Sequence, residues 1–181
     1  MARERRLWSE HALYHVYSRG SNRQPVVEDE SDFVDWEQVV LDAARAEGVE
    51  LHAWALLPNH WHAAVRCPVG GLSRFMKRAN HRYALRHDRR WEKTGHLWQH
   101  RFGAVLQESE LQYLWLLRYI VRNPLEAGLC DSVEGWRWTS WGPTVGERPA
   151  PVVLRVDEVL RAFDDDPEIA LARYCAFIAR A

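Results

Sequence analysis

A two-residue turn constrains this chain more than any other feature. Pro58-Asn59 interrupts the run LHAWALLPNHWHAAV (51–65), whose two arms are rich in β-forming and small apolar residues. So short a connection joins antiparallel neighbours, so strands are expected over Val49–Leu57 and His60–Arg66, paired as a hairpin. Further elements follow from periodicity. Ala12–Ser18 alternates as a strand and ends at the turn-rich Arg19-Gly20-Ser21-Asn22. Ser31–Ala46 has helical spacing through Phe33, Trp36, Val39, Val40 and Ala43, with Ser31 as cap, acids on the outer face and Gly48 closing it. A second helix is expected over Leu72–His87, then a polar loop through Gly95, a strand at the end of Trp98–Leu106, and a helix over Ser109–Asn123 that Pro124 interrupts. Leu111, Leu114, Trp115 and Leu117 are read as the apolar side of that last helix. The order β-α-β-β-α-β-α predicts an α+β fold, an antiparallel sheet with helices packed on it.

The chain has 181 residues, 47% of them hydrophobic, enough for one substantial core. The Gly- and Pro-rich stretch Gly142–Pro151 suggests a division into a main domain, residues 1–142, and a linker with a short C-terminal helical appendage, residues 143–181. Within the appendage, Val152–Phe163 and Pro167–Ala179 are expected helices on either side of Asp164-Asp165-Asp166. No apolar run approaches about 18 residues and MARERRLWSEH lacks a signal-peptide core, so a cytoplasmic protein with no membrane partner is expected. Cys67, Cys130 and Cys175 form no CxxC pair, which argues against a thiolate zinc site or a disulfide framework.

The net charge of -1 conceals strong segregation. Val26–Glu50 holds nine acidic residues and one basic, whereas Arg74–Arg101 holds nine basic residues and two acids. The second segment has the local positive density that sugar-phosphate backbones require, although a solvated helix face would look the same.

Two constellations could carry chemistry. His60 and His62 lie two apart on a strand and therefore share one face, with Trp61 pointing to the other. Two imidazoles so placed can hold one cation, but taken alone such a pair is more often a hydrogen-bonded structural one. Tyr119 and Asn123 lie one helical turn apart, so an amide oxygen sits beside a phenol, whereas Tyr113 falls on a different side. Taken alone, a packed tyrosine and an Asn capping the helix before Pro124 is the plainer reading.

Together with HVYSRGSNRQ, LSRFMKRANHRYA, GHLWQHRF, LLRYIVRNPLEAGL and WRWTSW, in this order, these segments make the chain from about Leu13 to Trp141 resemble the HUH single-strand transposases, and among them the REP-associated tyrosine transposases. The resemblance implies a ferredoxin-like HUH topology. It implies His60 and His62 as catalytic metal ligands, Asn123 as the third ligand, Mg²⁺ or Mn²⁺ as the cation, and Tyr119 as the nucleophile that forms a 5′-phosphotyrosine. The partner would be single-stranded or hairpin DNA and the protein a monomer or homodimer. Arg74, Lys77, Arg78, Arg82, Arg86, Arg89, Arg90 and Arg101 would meet phosphates, while Trp98, with Trp91, would stack on bases. Trp36, Trp54 and Trp115 are expected in the core, and Trp136, Trp138 and Trp141 close the domain. His100, Val121 and Glu126 depart from the family pattern and bear on DNA contacts more than on cleavage. Two other readings stand beside this one: a domesticated hairpin-DNA-binding protein without nuclease activity, and a small-molecule metal hydrolase, for which no acidic base or third spaced histidine is evident.

Overall fold

The computed structural model describes residues 12–68 and 70–180. Its sheet has four antiparallel strands, β1 (Leu13–Arg19), β2 (Glu50–Leu57), β3 (His60–Arg66) and β4 (Gly103–Gln107), in the order β2-β3-β1-β4. Leu57 pairs directly with His60, so Pro58-Asn59 is the tight turn. Helices α1 (Glu30–Glu47), α2 (Gly71–Trp91) and α3 (Glu110–Glu126) interleave with the strands as β-α-β-β-α-β-α, the expected α+β arrangement. Three further helices follow: α4 (Trp141–Val145), α5 (Val156–Arg161) and α6 (Pro167–Ala179). No helix among the described residues is long and apolar enough to cross a membrane.

Strand alternation divides the core in two. Tyr14, Val16, Trp61, Ala63 and Val65 face α1 and α2, packing on Trp36, Phe75 and Met76. Leu13, Ala53, Ala55, Leu57 and Ala64 face α3, packing on Leu116, Leu117, Ile120 and Val121 together with Val159, Tyr174 and Ile178 from the last two helices. Trp61 is fully buried, its ring centroid 5.0 Å from that of Trp36. Truncating such a side chain costs about 3–5 kcal/mol, and a one-residue slip of β3 would expel it while turning both flanking histidines into the core. Trp61 therefore locks the direction in which His60 and His62 point.

Several boundaries differ from expectation for local reasons. Asp29, not Ser31, caps α1: its carboxylate accepts from the Ser31 and Asp32 amides at 2.9 and 3.2 Å, and a negative charge suits the helix's positive end. Gly48, at φ +63°, closes α1 as expected. Nothing in Asp88-Arg89-Arg90-Trp91 breaks a helix, so α2 runs through it to Trp91 and absorbs the start of the expected loop. Pro124 lies inside α3, which continues to Glu126, so Asn123 is a helical residue and not a cap. The buried side of α3 is Leu116, Leu117, Ile120, Val121 and Pro124. Leu111 and Trp115 are 65% and 54% exposed, because this helix is apolar around most of its circumference and periodicity alone did not select a face. α5 is shorter than expected because Val153 and Arg155 are bonded to Leu51, where the Leu51 amide donates to Val153 and Arg155 donates to Leu51.

The stretch expected to be a linker, Gly142–Pro151, contains most of α4, and the segments on either side of it run along the open edge of β2. Trp138 and Ser140 exchange backbone bonds with Leu56 and Trp54, and Val153 and Arg155 do the same with Leu51. An edge strand so covered has few groups left for unwanted pairing.

The two charged segments meet each other. Arg74 and Arg78 both donate to Glu47 at 2.9 and 2.8 Å, Arg86 pairs with Asp35, and Arg90 pairs with Asp29 and Asp32. The acids of α1 were expected on an outer, solvated face, but much of that face borders α2.

Candidate active site

Side chains directly opposite each other on paired strands project to the same side. Tyr17 of β1 lies opposite His62 of β3, and Arg19 opposite His60. His15, Tyr17 and Arg19 therefore join the two histidines on the face that α3 covers. There α3 brings in Tyr119, whose ring centroid lies 5.4 Å from that of His62 and 5.7 Å from that of His15. Tyr119 is 41% exposed, so its ring is anchored while part of it stays open to a substrate. One turn later Asn123 stands beside His60, near enough to influence its ionisation. Tyr113 is elsewhere, buried with its hydroxyl 2.9 Å from His52 Nδ1.

The ring nitrogens are arranged asymmetrically. His60 Nδ1 lies 2.6 Å from the Asn59 side-chain oxygen, and since that oxygen only accepts, Nδ1 carries the proton and a neutral ring offers its lone pair at Nε2. His62 Nδ1 lies 2.9 Å from His15 Nε2, while His62 Nε2 is buried and has no hydrogen-bond partner among the described residues. A histidine held by one nitrogen with the other unpartnered is the usual state of a metal ligand supported from behind. Burial pushes the His62 pKa down to about 2 and that of His15 to about 4, and burial with the nearby Arg19 charge lowers that of His60. All three are neutral at neutral pH, the form that donates lone pairs. No group of three or more His, Cys, Asp or Glu side chains among the described residues is set to hold a metal ion. The side chains here that could hold a divalent cation are His60, His62 and the Asn123 amide, all of them neutral donors.

Comparison with known proteins decides the family. The profile described as Transposase IS200 like matches residues 9–123. The chain belongs to the IS200-like transposases. No curated protein matches it. A solved REP-associated tyrosine transposase bound to a REP hairpin shares the fold, with a TM-score of 0.64 at 19% identity over 83% of this chain and 90% of that one. A candidate transposase from Deinococcus radiodurans R1 is 20% identical over 66% of this chain and 95% of that one, with a TM-score of 0.45.

In this IS200-like transposase, His15, Tyr17 and Arg19 are site residues that the sequence did not reveal. Their alternation in HVYSR was legible, but the strand they face is not, because β1 meets β3 across forty intervening residues. Gly103 belongs with them: a Cβ there would lie 2.1 Å from the Tyr17 ring, so only glycine lets that ring lie across β4.

The residues expected to contact DNA separate into two groups. The site opens into a cavity of about 850 Å³, and a groove of about 1040 Å³ adjoins it between α2 and residues 95–102. Both are walled by Gln99, His100, Arg101 and Phe102, and Lys77 lines the groove. Lys77, Arg82, Arg89 and Arg101 are exposed and have no ion pair among the described residues. Arg74, Arg78, Arg86 and Arg90 instead face the acids of α1. Trp98 is half-buried and donates to the Asn80 carbonyl at 2.9 Å, which anchors the 95–102 segment to α2, and Trp91 donates to Asp32 at 2.9 Å.

A pH-dependent stability follows from the buried histidines. His52, on the same side of the sheet as α3, has its pKa lowered to about 4, first by burial and then by the Arg66 charge. Below about pH 6.5 the unfolded chain takes up a proton at this residue that the folded chain refuses, so stability falls by up to about 1.4 kcal/mol per pH unit until about pH 4. Thermal melting should show a falling Tm from pH 7 to pH 5, with a shallower fall in His52→Gln. Equal slopes would show that His52 is not a source of the acid sensitivity.

Proposed function

We propose that this IS200-like transposase cuts and rejoins single-stranded DNA at hairpin sites, with Tyr119 as the nucleophile. The observation that supports this best is the contact of the Tyr119 ring with His62, whose buried Nε2 has no partner among the described residues, with Asn123 one helical turn away beside His60. The Tyr119 oxygen attacks the scissile phosphorus and forms a P–O bond, the bond from phosphorus to the 3′ oxygen breaks, and the phenolic proton ends on that oxygen. The products are a 5′-phosphotyrosine and a free 3′-hydroxyl. A divalent cation, Mg²⁺ or Mn²⁺, held by His60, His62 and Asn123 would supply Lewis-acid polarisation of the phosphate and stabilisation of a phenolate, whose parent phenol has a pKa near ~10. His15 and Asn59 keep the two imidazoles in the required tautomers, and Arg19 adds positive charge beside the reacting phosphate.

The groove lined by Lys77 and Arg101 leads to the same residues that wall the site, which supports it as the path of the strand. A hairpin ligand is supported by the shared fold with the REP-hairpin complex. Incubation of labelled single-stranded hairpins with the protein and Mn²⁺ should give an adduct that survives denaturing electrophoresis. A shift seen only on native gels would favour the hairpin-binding reading without nuclease activity.

Charge removal ranks the two groups of basic residues. Lys77→Gln with Arg101→Gln should weaken hairpin binding and reduce the slope of log K against log salt by roughly one for each lost phosphate contact. Arg74→Gln with Arg78→Gln should change that slope less, since both guanidiniums are engaged by Glu47. The opposite ranking would place the DNA along the α1–α2 seam.

A further inference from the structure

The last described helix ends on the helix that carries Tyr119. Carbonyls in the final turn of a helix have no partner within it. In α6 those carbonyls are taken by α3: Arg118 donates to Phe177 at 2.6 Å, to Ile178 at 3.0 Å and to Arg180, and Arg122 donates to Ile178 at 2.8 Å. Guanidinium groups at a helix C-terminus also sit at the favourable end of its dipole. The Arg118 guanidinium lies 5.8 Å from the ring centroids of both Trp115 and Phe177, which are 5.5 Å from each other. Behind these bonds, Tyr174 and Ile178 share a core with Leu117, Ile120 and Val121.

Arg118 and Arg122 each precede a site residue, Tyr119 and Asn123, by one position. The two rows lie about 100° apart on one rigid helix, so a roll of α3 that disturbs one displaces the other. The Tyr113–His52 bond ties the first half of α3 to β2, and the bonds to α6 tie the half that carries the site.

We propose that α6 is a brace for Tyr119: by holding Arg118 and Arg122 it sets the roll of α3 and so the direction of the Tyr119 hydroxyl. This assigns a purpose to the C-terminal helices and rests on the reading of Tyr119 as nucleophile. Reacting groups need to be held within about 0.5 Å and 10–20°, and a displacement of about an ångström can cost a hundredfold in rate. Arg118 and Arg122 are positioning residues that do not touch the substrate.

The test is the Arg118→Gln, Arg122→Gln double variant in the full-length chain. Its single-turnover cleavage rate should fall about ten- to hundredfold with the Kd for hairpin DNA within about threefold, and the corresponding double Lys variant should recover part of the rate, since an ammonium keeps charge and a donor at the helix end without the guanidinium fork. A second readout does not depend on cleavage. With 3-fluorotyrosine placed at Tyr119, the fluorine resonance should shift and broaden in the Gln variant and return part of the way in the Lys variant. A wild-type rate in the Gln variant, parallel losses of rate and affinity, or an unchanged resonance would each overturn the brace. Should the double variant not fold, Arg122→Gln alone, which leaves the Arg118 bonds in place, is judged in both assays by the same outcomes. Wild-type protein that never cleaves but shows the fluorine response would overturn the nucleophile reading and uphold the brace.

Discussion

On the proposed mechanism His62→Ala should reduce strand cleavage by roughly three orders of magnitude or more, because it would remove a ligand from a cation asked to supply several kcal/mol of transition-state stabilisation. Hairpin affinity should stay within a few fold, since His62 is 5% exposed and the exposed cations Lys77, Arg82 and Arg89 lie outside its cavity. His15→Ala should fall between the variant and the wild type, losing about ten- to hundredfold in both cleavage and Mn²⁺ affinity, as is usual when the group supporting a metal ligand is removed. Asn123→Ala should be milder than His62→Ala, because water can replace one neutral ligand. Cleavage and calorimetric Mn²⁺ titration measured side by side check this ordering. Full cleavage by His62→Ala would remove the metal site from the mechanism.

Short-range features of the fold were legible from the residues. Pro58-Asn59 set the hairpin and its register, alternation put His60 and His62 on one face, and helical spacing put Asn123 beside Tyr119. Each of these depends on neighbours within about four positions, where covalent geometry dictates direction. Long-range features were not legible. The pairing of β1 with β3 brings His15 to His62, and nothing in HVYSR specifies that partner. Likewise, Glu47 could have met solvent or any cation, and the packing of α1 on α2 gives it Arg74 and Arg78. Trp115 was misplaced because α3 has enough apolar residues to offer more than one face, and the choice was made by α6 and the sheet together.

Tyr119→Phe should lose all detectable cleavage while folding and binding hairpin DNA as the wild type does, since it removes only the hydroxyl of a partly exposed side chain. Tyr113→Phe should remain active, its hydroxyl being committed to His52 and away from the reacting centre. Loss of cleavage in both variants would point to a shared structural defect in α3. Tyr17 is the stricter control, because it also lines the cavity, with its ring centroid 5.9 Å from that of His62. Tyr17→Phe should retain covalent chemistry if Tyr119 is the nucleophile.

The most direct measurement is peptide mapping of the covalent adduct formed with hairpin DNA labelled on the 3′ side of the cut. The label should be recovered on the peptide containing Tyr119, joined through the 5′-phosphate of the DNA, with a free 3′-hydroxyl on the released strand. Label on Tyr17, Tyr113 or Tyr83, a 3′-phosphate linkage, or hydrolysis with no adduct at any time would contradict Tyr119 as the nucleophile.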